Sequence, residues 1–167
     1  MTRSRRIAMI LFLIVDVGYI LWGGMAAAWP QHLLGPHGAP IVPAGYEGFT
    51  GDSWAALLRT SPLTAKYIEI VFRMYGVYNM VFGFLTVAIA VTAFRRAEPW
   101  AWWALFIGNT IALVAATTYD RTVRAIGPFE VSEYVGLAFV LAALVLTAPF
   151  WRARSSATPA LTPAARM

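Results

Sequence analysis

Residues 7–25 read IAMILFLIVDVGYILWGGM, 19 residues in which Asp16 is the only charge. A helix needs about 20 apolar residues to cross the hydrocarbon core of a bilayer, so this stretch alone points to a membrane protein. Three further apolar blocks follow. Residues 71–94 carry Arg73 near their start, residues 100–118 carry no charge, and residues 129–150 have Glu130 and Glu133 in their first turns. No block alternates apolar and polar residues with period two, which speaks against a β-barrel. The chain is 59% hydrophobic and 13% charged, where a soluble domain carries about 25% charged residues. The expected fold is all-α: an integral membrane four-helix bundle forming one domain over residues 1–150. Its spans are placed at about 7–28, 63–94, 99–119 and 129–150, and a disordered cytoplasmic tail is expected over 151–167.

The first block also has the outline of a signal peptide, with Arg3, Arg5 and Arg6 before it and Ala26-Ala27-Ala28 after it. A signal core is about 7–15 residues long. This one is longer and contains an acid, so a retained span is the expectation. Arginines set the orientation. Arg3, Arg5 and Arg6, then Arg95 and Arg96, then Arg152, Arg154 and Arg166 put both termini and the short turn 95–99 in the cytoplasm. The opposite side has Arg59, Lys66, Arg121 and Arg124, among Glu47, Asp52 and Asp120. Localisation in the cell (plasma or inner) membrane follows, with multiple passes.

A long extracytoplasmic loop, residues 29–62, separates the first two spans. Its Pro30, Pro36, Pro40 and Pro43, with Gly35, Gly38, Gly45, Gly48 and Gly51, predict irregular backbone over 29–52. A short helix over 53–59, capped by Asp52, is expected to lay Trp54, Leu57 and Leu58 on the membrane surface. Ser61 and Pro62 have the residue types of a helix cap and first position. Trp100, Trp102 and Trp103 are expected to anchor the cytoplasmic interface.

Composition removes several function classes. The chain has no cysteine, so disulfides, iron–sulfur clusters and thiolate zinc sites are excluded within it. His32 and His37 are the only histidines, and neither lies in a span, so neither a metal site nor bis-histidine haem is expected. Basic residues sit in short clusters at segment ends, a membrane pattern and not a nucleic-acid one. No phosphate loop or nucleophile elbow is present.

What remains is the cost of charge in lipid, about 2.5–3.5 kcal/mol per group on insertion scales. Asp16 lies nine residues into its block, about 13 Å deep at ~1.5 Å per residue. Asn109 lies ten residues past Pro99, about 15 Å deep by the same rise, so an Asp16–Asn109 hydrogen bond is expected near the bilayer centre. Arg73 and Glu133 come out at similar depth near the outer boundary and are expected to pair. Glu69, four residues before Arg73, adds a second partner. Glu69, Arg73, Gly76, Met80, Gly83, Val87 and Ala90 form one helical stripe, and Gly76 and Gly83 on it allow close packing by another helix. Tyr75, Tyr78, Asn79, Tyr119, Asp120, Arg121 and Tyr134 fall in the same outer half, where they would line an outward-facing pocket. The expected ligand-binding set is therefore Glu69, Arg73, Tyr78, Asn79, Asn109, Tyr119 and Tyr134. Asp16 and Glu133 are the candidate catalytic acids. The plainer alternatives are an Arg–Glu clamp between helices and an ordinary aromatic belt.

Arg73-Met74-Tyr75-Gly76 early in the second span, a basic turn, and an acid opening the fourth (Glu130, Glu133) resemble the DoxX-like group of small bacterial membrane proteins over about residues 66–150. That resemblance implies a four-helix bundle and, for some members, service as a membrane subunit of an oxidoreductase that meets quinones. Arg73, Gly76 and the fourth-helix acid carry over, whereas the Pro/Gly-rich segment before the second span departs from the pattern. The expected function is an accessory or ligand-binding membrane subunit, in the setting of a redox complex. No cofactor is evident; a quinone or a lipid is the candidate, and the partners are the bilayer, a hydrophobic small molecule or a membrane complex. The alternative is an intramembrane lipid-modifying enzyme, such as an isoprenoid or sterol-like isomerase, with Asp16 and Glu133 as acid and base. A transporter is disfavoured by the lack of inverted repeats.

Overall fold

A computed structural model describes residues 2–35, 38–123 and 128–155, with side chains for all of these except 128–132 and 149–155. The expectations placed on Pro36, His37, Arg124 and the tail beyond Ser155 lie outside the described residues, as does the side chain of Glu130.

The described chain is helical. Helix α1 spans Arg3–Ala28, α2 Ile41–Thr50, α3 Trp54–Thr60, α4 Pro62–Ile89, α5 Pro99–Val123 and α6 Pro128–Ser155. α4 runs straight on into a π-helical turn, Ala90–Phe94. Prolines open α4, α5 and α6, because the first helical N–H has no partner to lose and the ring fixes a helical φ. Thr2 accepts from the Arg5 N–H at the start of α1. Among the described residues, three helices are long and apolar enough to cross a membrane: α1, α4 with its π turn, and α5. In α6 the described apolar stretch is Glu133–Ala148. α6 itself continues through Ser155, past the boundary expected at residue 150.

The loop expectation needs correction. Residues 41–50 are helical although they contain Pro43, Gly45 and Gly48. Pro43 is the third residue of α2, and the first-turn N–H groups of a helix need no intrahelical acceptor. Gly51, at φ 79°, ends α2 in the left-handed conformation glycine favours. α3 starts after Ser53 and not on an Asp52 cap. The Glu47 carboxylate accepts from the Trp54 N–H at 2.8 Å, so the acid that caps α3 comes from α2. Trp54 is buried, not laid on a surface. Its ring meets Tyr46 edge-on at 5.5 Å, and it packs with Val42 and Ala65. α2 and α3 thus form a small helical cap on the start of α4, and α2 also touches α5.

The long helices form a ring in the order α1, α4, α5, α6. The most extensive contact is between α1 and α4; α1 also packs on α6, and α5 on α6 and on the π turn, whereas α4 proper meets α5 only sparsely. Arg5 donates to the Arg95 carbonyl at 3.5 Å, which puts the start of α1 beside the turn between α4 and α5. That turn closes with Ala97 N–H on Phe94 O and Glu98 N–H on Ala93 O, a Schellman pattern with alanine, at φ 65°, in the left-handed position. The core at this end holds Ala8, Phe12, Ala90, Phe94, Ala101, Leu105, Val140 and Ala143. Phe12 and Phe94 meet edge-on at 5.4 Å. Trp102 is half-buried and donates to Thr147 at 2.9 Å, joining α5 to α6; Trp100 and Trp103 are the two exposed members of the expected anchor.

Polarity is inverted relative to a soluble bundle. On α1 the exposed residues include Ile7, Ile10, Ile14, Val17 and Leu21, whereas the buried ones are Ala8, Phe12, Asp16, Gly23 and Ala26. Large apolar side chains point out, and small or polar ones mostly point in. The α1–α4 contact is close because of three glycines. A Cβ on Gly23 would stand 2.5 Å from the Gly76 carbonyl oxygen and from the Met80 nitrogen. One on Gly76 would stand 2.6 Å from the Ala27 nitrogen, and one on Gly83 2.6 Å from the Asp16 carbonyl oxygen. The seam expected at Gly76 and Gly83 is therefore present, with Gly23 as its partner.

Gly23→Ala is expected to cost about 1–3 kcal/mol, because backbone has to move. Gly18 has nothing within 4 Å of its would-be Cβ, so Gly18→Ala is expected to stabilise α1 by about 0.5–1 kcal/mol. Thermal unfolding of the two variants in the same detergent should shift in opposite directions.

Candidate functional site

Four polar side chains converge inside the ring. Asp16 and Asn109 are each 0% exposed and Thr86 4%; Tyr19 is half-buried with its hydroxyl enclosed. Helical spacing explains the grouping. Asp16 and Tyr19 are three residues apart on α1, and Thr86 is one turn past Gly83 on α4. The Gly83 contact brings the Asp16 backbone against α4, and Asn109 closes the group from α5.

Their hydrogen bonding is incomplete. Thr86 and Asn109 stand beside the Asp16 carboxyl, but the Thr86 hydroxyl and one of the two Asn109 amide hydrogens are directed elsewhere. Thr86 Oγ1 donates to the Phe82 and Gly83 carbonyls at 3.0 and 3.1 Å, and Asn109 Nδ2 donates to the Leu105 carbonyl at 3.1 Å. Both Asp16 carboxyl oxygens, Asn109 Oδ1 and Tyr19 Oη have no hydrogen-bond partner, although all four are shut off from solvent. Buried polar groups are nearly always paired, and leaving one unpaired costs about 1–3 kcal/mol. Asp16 and Asn109 meet as their depths suggested, with the Asn109 amide beside the Asp16 carboxyl but not at full hydrogen-bond geometry. The sequence reading missed Thr86 and Tyr19; the signal for each was its three-residue offset from Gly83 and Asp16 respectively.

The outer set divides. Arg73 lies on the end of α1, donating from Nη1 to the Ala27 and Ala28 carbonyls at 2.8 and 3.0 Å. The last carbonyls of a helix lack intrahelical donors and carry its negative dipole end, so a guanidinium is well placed there. Glu133 accepts from Thr117 at 3.5 Å. The expected Arg73–Glu133 pair is thus replaced by two separate arrangements. Glu69 is exposed and lines a cleft of about 210 Å³ with Pro30, Pro40, Val42 and Trp54. Tyr134 accepts from Arg121 at 3.0 Å and lines a second cleft with Leu113, Thr117 and Leu137. Asn79 donates to the Tyr75 carbonyl at 3.0 Å, and Tyr78 and Tyr119 are exposed. These residues do not share one pocket. A looser link joins the two levels, since Tyr19 stands within electrostatic reach of Asp16, Tyr75 and Glu133. No group of three or more acidic or histidine residues with metal-binding geometry occurs among the described residues.

No family model, curated protein or solved structure matches the chain.

Arg73→Ala should strip the end of α1 of its donor and cost about 1–2 kcal/mol, with Arg73→Lys recovering part of it. Glu69→Gln, at an exposed position, should change stability by less than about 0.5 kcal/mol. Thermal unfolding in detergent separates these outcomes.

Proposed function

We propose that the protein is a four-span membrane protein with both termini in the cytoplasm, α6 being the fourth span, and that it binds a hydrophobic small molecule at the Asp16 site as an accessory or ligand-binding subunit. The observation that carries this reading is the set of four buried oxygens without partners. An enclosed group of this kind is costly unless something completes it. Its position between α1, α4 and α5, behind lipid-facing side chains, favours a ligand that dissolves in the bilayer. The site has moved inward from the Arg73–Glu133 level, because Arg73 already serves the end of α1.

Kinship with DoxX-like proteins is part of the same proposal. The Arg-x-x-Gly spacing supports it in a physical way. Arg73 and Gly76 lie on one face of α4 and both engage the last turns of α1, the first through its guanidinium and the second through its missing side chain. A second reading, a lipid-modifying enzyme with Asp16 and Glu133 as acid and base, is favoured by one observation: Tyr19 lies within electrostatic reach of both carboxyls. Chemical conversion of the bound molecule, lost in both Asp16→Asn and Glu133→Gln, would support that reading over binding alone.

Native mass spectrometry and solvent extraction of the protein purified in mild detergent should reveal a bound small molecule, and Asp16→Asn should lower its occupancy at least fivefold. A wild-type protein with nothing bound would overturn the binding function. The absence of cysteine makes topology easy to test. Single cysteines at Thr2 and Glu98 should react with impermeant maleimide only after the membrane is opened, and one at Asp52 should react in intact cells.

A further inference from the structure

Access is the difficulty for a site that is sealed. The ring has one weak side, between α4 and α5, which touch closely at the π turn but sparsely along α4 proper. Across that side, level with the site, lies a single ring. Phe82 meets Tyr19 edge-on at 5.3 Å. Its far edge faces Gly108 of α5, where a Cβ would stand 3.3 Å from Phe82 Cε2. Gly108 adjoins Asn109, and the Phe82 carbonyl accepts the Thr86 hydroxyl. One aromatic side chain therefore bridges from Tyr19 of α1 to Gly108 of α5, across the weak side of the ring. On α5 the residues at helical spacing from Gly108 are Ala104 and Ala112, too small to hold the ring in place. Tyr78, one turn before Phe82, and Leu85, almost one turn after it, are exposed, so the same stripe continues to the outer surface.

We propose that the site is loaded sideways from the bilayer between α4 and α5, with Phe82 as the gate, and that its ligand is a lipid-soluble molecule whose head carries hydroxyl or amine hydrogens. This rests on the binding function proposed above. The chemistry of the head follows from the atoms awaiting it. The unpartnered atoms are all oxygens, in the Asp16 carboxyl, the Asn109 amide and the Tyr19 hydroxyl, so acceptor sites outnumber the donors, which are the Tyr19 hydroxyl and the second Asn109 amide hydrogen. The Asn109 amide is oriented by its bond to the Leu105 carbonyl. A quinone offers acceptors alone and would leave most of these oxygens unpaired; a quinol, a sterol or a long-chain alcohol brings hydrogens for them.

The test uses dicyclohexylcarbodiimide, which partitions into lipid and adds to carboxyl groups, on the full-length protein in liposomes. Modification of Asp16 is followed by peptide mass spectrometry. The expected result is slow labelling of the wild type and labelling at least fivefold faster in Phe82→Ala and in the milder Phe82→Leu. The rate in Phe84→Ala, at an exposed position (56%) on a different face of α4, should stay unchanged. Equal rates in wild type and both Phe82 variants, no labelling in any of them, or equally fast labelling by a water-soluble carbodiimide would overturn the lateral gate. Absence of a bound molecule in the extraction experiments would overturn the binding function instead, because the carbodiimide still reports access to Asp16 in an empty site.

Discussion

Backbone-to-backbone contact between α1 and α4 is the constraint from which the rest of this fold follows. Helices surrounded by lipid gain little by hiding apolar side chains from one another, so association depends on close van der Waals approach. Gly23, Gly76 and Gly83 supply that approach by leaving no Cβ to intervene. Once α1 lies on α4 at this distance, other placements are dictated. The end of α1 falls within reach of Arg73. The Asp16 carbonyl rests on Gly83, which brings its carboxyl beside Thr86. α5 and α6 then complete the ring, and α5 brings Asn109 to the same group.

The sequence made the helical class and the glycine seam legible because both are periodic. Apolar blocks of membrane length and residues seven apart on α4 can be counted without coordinates. Depth was legible too, since rise per residue is constant, and it matched Asp16 with Asn109. Depth does not give azimuth, however. Arg73 and Glu133 share a level on estimate, but Arg73 turns toward two unpaired carbonyls at the end of α1, acceptors that every helix end has and no residue name announces. Tyr19 was hidden for a related reason: a tyrosine in a span resembles one of many interfacial aromatics until its hydroxyl is seen to be enclosed. The segment 41–50 was misread because proline and glycine were counted without regard to position, and Pro43 falls in a first turn, where it costs no helical hydrogen bond.

The inverted polarity of the ring bears on what the interior can hold. Alanine, glycine and threonine at many inward positions keep the helices close but supply few contacts for a guest. The Asp16 cluster concentrates what polarity the interior has at one level, where three helices can each contribute. Trp102 and Thr147 satisfy each other nearer the turn between α4 and α5, so that end is knit by completed bonds. The contrast divides the bundle into a finished end and an unfinished middle.

The π turn at Ala90–Phe94, with the Arg95 N–H reaching back five residues to Ala90 at 3.2 Å, amounts to one residue more than an α-helix of the same height needs. Each residue rotates a helix by about 100°. That surplus residue is a phase correction: before the turn α4 presents Thr86 to the ring, and at the turn's last residue Phe94 meets Phe12. An uninterrupted α-helix of this sequence would keep only one of these alignments. Shortening the turn by a residue would leave the arrangement around Asp16 in place while rotating the arginine-bearing turn by about 100° relative to it.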